Sequence, residues 1–300
     1  MYSTGSSFST SLAIGDFNND NRLDISVVNN ETNSISILLG YDEGFADLTT
    51  YSAGSRCVVV GDFNNDARLD IVVTNDYDKT VTVLLGYGDG SFENRITSPT
   101  GTSQYSVAVA DLNNDTQLDI VVAYQLHQKI GILLGYGNGS FANQILYSTA
   151  SSSNQKPYYS GSQPYFVAIA DFNKDNRLDI VVVNNGDNNI GIFLGYGNGS
   201  FASQTTFSTG SKPYSVAVGD FNNDTRLDIV VANFENDSVS VLLGYDNGSF
   251  AKQMTYLTGS RPCYIVVGDF DNDTRLDIVV VNQRSHNVGI LLGYGNGSFA

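Results

Sequence analysis

The chain has 300 residues, with 31 acidic against 15 basic side chains and a formal net charge of −16. That balance repels a nucleic-acid backbone unless the basic residues cluster, and they do not, so no nucleic-acid partner is expected. Cys57 and Cys263 are too few for a disulfide framework or a zinc site, and no run of about 18 apolar residues provides a membrane-crossing helix, so no membrane insertion is expected.

With 30 Gly, 18 Tyr, 16 Phe, 5 Pro and no Trp, the chain is rich in strand and turn formers, and an all-β protein is the first expectation. It opens on Met1-Tyr2-Ser3-Thr4-Gly5, with neither a basic nor an apolar leader region, so no signal peptide is read in it. A segment of the form D-[FL]-[ND]-[NK]-D-x-[RQ]-L-D then begins at Asp16 and recurs at Asp62, Asp111, Asp171, Asp220 and Asp269, in steps of 46, 49, 60, 49 and 49 residues. Self-similarity at this period is the signature of solenoids, propellers and arrays.

The first copy supplies Asp16, Asn18, Asp20, Arg22 and Asp24, then a polar turn holding Glu31 and a shortened hairpin, Tyr41-Asp42-Glu43-Gly44-Phe45. The second supplies Asp62, Asn64, Asp66, Arg68 and Asp70 and the turn Asn75-Asp76-Tyr77-Asp78. The third supplies Asp111, Asn113, Asp115, Gln117 and Asp119 and the turn Tyr124-Gln125-Leu126-His127. A Ser-rich insertion, Ser148 to Ser160, lengthens the next step and reads as a surface loop or a longer outer strand. The fourth copy supplies Asp171, Asn173, Asp175, Arg177 and Asp179 and the turn Asn185-Gly186-Asp187.

The fifth copy shows the elements most plainly. Ser215 to Gly219 is a first strand, and Asp220, Asn222, Asp224, Arg226 and Asp228 form the loop after it. Ile229 to Ala232 is a continuous apolar strand of the kind buried on both faces. The turn holding Phe234, Glu235 and Asp237 leads to a third strand, Ser238 to Tyr245. An Asn247-Gly248 hairpin and a fourth strand, Phe250 to Thr258, complete the copy. The sixth copy supplies Asp269, Asp271, Asp273, Arg275 and Asp277 and stops at Phe299-Ala300, where its fourth strand should begin.

Four antiparallel strands in about 49 residues, with no helical period, predict a β-propeller of six four-stranded blades. The blades are placed approximately at 6–54, 55–101, 102–161, 162–210, 211–259 and 260–300 plus 1–5, within a single domain spanning 1–300. Tyr2-Ser3-Thr4-Gly5 resembles Phe207-Ser208-Thr209-Gly210, so the N-terminal strand is expected to close the ring and remove its exposed edges. All five prolines fall between a fourth strand and the next first strand, where they obstruct no central ladder.

In each nine-residue loop, positions 1, 3, 5 and 9 offer side-chain oxygens and position 7 a backbone carbonyl. With water, that set approaches the roughly 6 to 8 hard donors that Ca²⁺ prefers. The spacing matches the first half of an EF-hand loop but lacks its position-6 Gly and position-12 Glu and leads into a strand, so an EF-hand is not expected. The six loops hold 19 of the 31 acidic residues, and such crowding is strongly repulsive without a cation. Up to six Ca²⁺ are therefore expected, one per blade, carrying the formal charge from −16 to −4. The position-7 arginines and Lys174 are expected to point outward.

Val218-Gly219-Asp220-Phe221-Asn222-Asn223-Asp224 and Leu227-Asp228-Ile229-Val230-Val231 resemble the FG-GAP or VCBS-type repeat of integrin alpha-subunit propellers and some fungal lectins. The resemblance implies calcium in the loop between first and second strands, an extracellular or cell-surface setting, and a role in adhesion or recognition.

No G-x-S-x-G elbow or Cys-His pair appears, and His127 and His286 sit in separate polar turns, so no catalytic residue is assigned. Activity on a polysaccharide and a purely structural scaffold are the alternatives to a binding module. A carbohydrate or protein ligand is expected at the end of the blades opposite the loops, where the turns differ most between copies. There Tyr77, Tyr124 and Phe234 are read as exposed stacking surfaces, and Glu31, Asp76, Asp78, Asp187, Glu235 and Asp237 as an acidic rim suited to a basic peptide or a sugar. The recurring Tyr41, Tyr87, Tyr136, Tyr196, Tyr245 and Tyr294 are read as packing between blades, and a monomer is expected.

Overall fold

A computed structural model describes residues 9–45, 49–53, 56–93, 96–101, 103–150 and 162–300. The pairing expected of residues 1 to 5 and the central part of the Ser-rich insertion lie outside these. The chain divides into two compact units, Met1–Leu146 and Tyr147–Ala300. It is all-β and built of β-propeller blades, with one 3-10 turn, Gln125–His127, as its helical element among the described residues. Five sheets have four strands in sequence order, and the sixth shows three, Pro262–Gly268, Asp277–Asn282 and Asn287–Leu291.

Blade 5 shows why the sequence takes this form. Its strands are Pro213–Gly219, Asp228–Asn233, Ser238–Leu242 and Met254–Leu257, an antiparallel meander with Val231 opposite Val216 and Ser240. Successive strand residues face opposite sides. Ile229 and Val231 enter a core with Val181, Val183, Ile190 and Ile192 of blade 4, while Val230 and Ala232 enter another with Ile265, Ile278 and Val280 of blade 6. A strand sandwiched between two neighbouring blades must be apolar at every position, which is the origin of the uninterrupted Ile-Val-Val runs.

Pro164, Pro213 and Pro262 each open a first strand, and Pro99 ends a fourth, so none of these four interrupts a central ladder. At the hairpins, Asn138, Asn198, Asn247 and Asn296 accept bonds from the backbone N–H and hydroxyl of the serine two residues on, a turn-capping role.

The third strand of blade 5 ends at Leu242 rather than Tyr245, and the fourth begins at Met254 rather than Phe250. The chain leaves the ladder because the Gly244 N–H donates to Asp228 Oδ1 at 2.8 Å, and it returns as a single bridge between Gly244 and Phe250. A Cβ at Gly244 would lie 2.2 Å from the Leu227 carbonyl oxygen, and Gly40, Gly86, Gly135, Gly195 and Gly293 meet the equivalent carbonyl as closely. Because that contact is with backbone, Gly244→Ala is expected to destabilise the chain by about 1 to 3 kcal/mol in urea denaturation. Wild-type stability in the variant would mean that the loop yields at no cost.

Candidate metal centres and ligand rim

Each loop folds around its own side chains. In blade 5, Asp220 Oδ1 accepts from the Asp224 N–H at 3.1 Å and Oδ2 from the Thr225 N–H at 2.7 Å. Asn222 Oδ1 accepts from the Asp224 N–H at 3.2 Å, Asp224 Oδ1 from the Arg226 N–H at 2.9 Å, and the Asn222 amide donates to Asp224 Oδ2 at 2.9 Å. Positions 4 and 6 turn the chain through positive φ, 57° at Asn223 and 69° at Thr225. Positions 1, 3 and 5 thus turn their oxygens into one tight Asx-type loop, and the same pattern recurs at Asp16-Asn18-Asp20. Carboxylate and amide oxygens with no sulfur or imidazole are the donor set for a hard cation such as Ca²⁺.

The sixth loop has a carboxylate in place of the amide. The ligand oxygens of Asp269, Asp271 and Asp273 come within 4.8 Å of one another, and all three residues are exposed. Desolvation, and after it the neighbouring charges of Asp273 and Asp277, raise the Asp271 carboxyl above its ordinary range. A bound cation would relieve that crowding, so these residues fit the ion.

Position 9 has a distinct place. Asp24, Asp70, Asp119, Asp179, Asp228 and Asp277 are all fully buried. Asp228 Oδ2 accepts from the Phe221 N–H at 2.9 Å while Oδ1 takes the Gly244 N–H, and all six copies repeat both bonds. The carboxylate therefore ties the loop to the end of the third strand, and each oxygen keeps a further lone pair. Burial pushes Asp70, Asp119, Asp179 and Asp228 up to about 6, against the pull of their two N–H donors. The glycine partner went unnoticed in the sequence although it stands 16 residues after the aspartate in every copy.

The position-7 arginines differ from expectation. Rather than pointing away, Arg22, Arg68, Arg177, Arg226 and Arg275 fold back to within 3.3 to 3.9 Å of the position-5 carboxylate of their own loop. Gln117, without a charge, bonds to the amide of Asn65 instead. Lys174 pairs with Asp246 at 3.4 Å. These pairs are solvent-exposed and screened, and each brings a positive side chain to a cluster of carboxylates.

The second-to-third-strand turns occupy the opposite end of each sheet. Tyr77 is 86% exposed, beside exposed Asp78, which accepts from the Asn75 amide at 2.8 Å. Glu31, Glu235 and Asp237 are exposed, and Asp187 is half-buried. Asp76 accepts from the Ser103 and Gln104 N–H groups, and Asp237 from the Arg261 N–H at 2.8 Å, so both also brace the passage into the next blade.

Two aromatic residues depart from the reading of an exposed rim. Tyr124 is buried because it is the last residue of the strand Asp119–Tyr124, where other copies place a buried asparagine such as Asn233. Its ring fits over Gly131, which has no side chain, and its hydroxyl donates to Gln144 at 2.7 Å. Phe234 is half-buried, stacked on Tyr214 at 4.9 Å with Arg261 over its ring at 5.3 Å.

The recurring tyrosines are also corrected. Tyr41, Tyr87, Tyr136, Tyr196, Tyr245 and Tyr294 are about half exposed, and the phenylalanine after each hairpin does the packing instead. Phe250 meets Phe172 of the preceding blade edge to face at 5.8 Å, and Phe299 meets Phe221 at 5.6 Å. The tyrosine's backbone has left the ladder by that point, which turns its ring outward at the loop end of the sheet.

Repeated blades with an Asp-rich loop between first and second strands define an Asp-rich propeller repeat. The FG-GAP-like repeat matches residues 16–73, 62–122, 113–182, 171–231 and 223–280, and the chain belongs to that family. No curated protein sequence matches it. Among solved structures, it is similar to an Agrocybe aegerita lectin studied for recognition of non-reducing terminal N-acetylglucosamine, at 18% identity and TM-score 0.64, covering 96% of this chain and 78% of the lectin. It is also similar to virginiamycin B lyase from Staphylococcus aureus, at 16% identity and TM-score 0.64, covering 97% and 83%. A protein of unknown function from Desulfotomaculum acetoxidans shares 16% identity at TM-score 0.66, covering 92% and 77%. At such identities the likeness concerns the fold.

Proposed function

We propose that the chain is a calcium-stabilised, non-catalytic binding module of extracellular type that takes a carbohydrate or protein ligand at the rim of second-to-third-strand turns. The observation that carries this reading is the contrast between the two ends of each sheet. One end repeats the same oxygen-rich loop in six copies, a constraint that a cation explains. The other end varies in every copy on the same scaffold and presents Tyr77 with an acidic surround. A lectin of this fold lends the carbohydrate reading support, and the two histidines, His127 and His286, stand in the connections of different blades.

The exposure of Tyr196, Tyr245 and their repeats supports a second reading, in which sugars stack at the loop end of the blades. A glycan and basic-peptide binding screen, run with calcium and with chelator, separates them. Tyr77→Ala is expected to weaken binding about fivefold or more, for loss of one exposed stacking contact, and Tyr245→Ala to leave it unchanged. The reverse result moves the site to the loop end, and product release from a polysaccharide would replace the binding module with an enzyme.

A further inference from the structure

Blade 3 carries a cavity of about 190 Å³ at its turn end, lined by Gly101, Tyr124, His127, Lys129, Gln144 and Leu146. Tyr124 is fully buried and forms the inner wall, and its hydroxyl holds the Gln144 oxygen at 2.7 Å. A Cβ at Gly101 would lie 3.4 Å from the Tyr124 ring and 3.7 Å from the His127 ring, so the glycine keeps this space open. His127, Lys129 and Leu146 are exposed and form the outer side. The volume falls below the roughly 300 to 1,000 Å³ of drug-sized sites, so the cavity suits one small group.

Its lining is peculiar to this copy. Cross-strand partners share a face of the sheet, so Lys129, opposite Tyr124, brings its ammonium to the side of the ring. In the other five blades the same pair is an asparagine facing an uncharged serine, threonine or asparagine. Blade 4 shows the alternative filling of the space: Gln204, which stands where Gln144 does, reaches over Gly191 and donates to the Thr149 carbonyl at 2.7 Å. None of the described residues lining the cavity is acidic, in a chain with 31 acidic against 15 basic side chains. Asp76, in the turn of blade 2, is engaged by the Ser103 and Gln104 N–H groups.

We propose that this cavity binds a carboxylate carried on a compact apolar body, the chemistry of a short branched carboxylic acid or of the C-terminal residue of a leucine-ended peptide. The apolar body lies against Tyr124 and Leu146, and the carboxylate meets the Lys129 ammonium, a charge-assisted contact. Gln144 turns its oxygen to Tyr124 and can offer its amide nitrogen as a further donor. A sugar would set hydroxyls against the ring and the leucine, and a basic peptide would meet Lys129 as a like charge. The cavity thus asks for a different ligand from the acidic rim around Tyr77, and the two readings stand or fall separately.

The test is an NMR titration of the full chain with isocaproate, with a short peptide ending in leucine, and with the same peptide amidated at its C-terminus. The two acids are expected to bind with a Kd of about 1 mM and the amide at least about tenfold more weakly. A peptide acid tighter than isocaproate assigns the cavity to protein C-termini, and one equal or weaker assigns it to free small acids. Lys129→Glu is expected to weaken both acids at least about tenfold, while Lys129→Arg and Tyr77→Ala leave them unchanged. Lys129 is exposed, so melting of its variants should match the wild type. Binding of neither acid at about 10 mM overturns the proposal, as does an amide or glucuronate that binds as tightly as the acids, or full affinity in Lys129→Glu.

Discussion

Asp228→Ala is expected to destabilise the metal-free chain by about 2 to 5 kcal/mol, because it strands two buried N–H donors at roughly 1 to 3 kcal/mol each. The donors are those of Phe221 and Gly244, at 2.9 and 2.8 Å, one opening the loop and the other ending the third strand. Asp220→Ala, at the partly exposed mouth of the same loop, loses acceptors for the Asp224 and Thr225 N–H groups, which water can replace. Urea denaturation in chelator should therefore place Asp228→Ala far below the wild type and Asp220→Ala close to it, while calorimetric titration finds one fewer calcium ion in both. Equal losses of stability in chelator would show that position 9 has no structural part separate from the metal.

Calcium itself should have the larger total effect. An ion held only by the folded form adds about 2.7 kcal/mol at one hundred times its dissociation constant, and the chain offers six such loops. Two or three filled loops would raise the melting temperature by about 10 °C or more at this chain length. A melting temperature indifferent to both calcium and chelator would reject the metal reading.

The pH dependence gives an independent sign. Burial raises Asp70, Asp119, Asp179 and Asp228 to about 6 from an ordinary 3.8, so between those values the folded form holds more protons than the unfolded one. Stability from these groups is fully present below pH 3.8 and is lost as pH rises through about 6. The chelated chain should consequently melt higher at pH 5 than at pH 7.5, and saturating calcium should reverse the order because protons compete for the ligand oxygens. A chelated chain that melts lower at pH 5 would contradict this assignment.

The sequence by itself determined the repeat, the number of blades and the loop in which carboxylates gather, because each rests on local spacing that the chain displays six times over. It also determined the buried second strands, since an Ile-Val-Val run has no polar face to offer water. What each recurring residue touches was decided by tertiary structure. Asp228 reads as one of several equivalent loop oxygens until the third strand brings the Gly244 N–H to it across 16 residues. Tyr245 and Phe250 both recur in the hairpins, and only the departure of the backbone from the ladder turns the tyrosine outward and the phenylalanine into the core. Tyr124 looked like a turn residue and proved to be the last residue of a strand, buried because Gly131 opposite leaves it room.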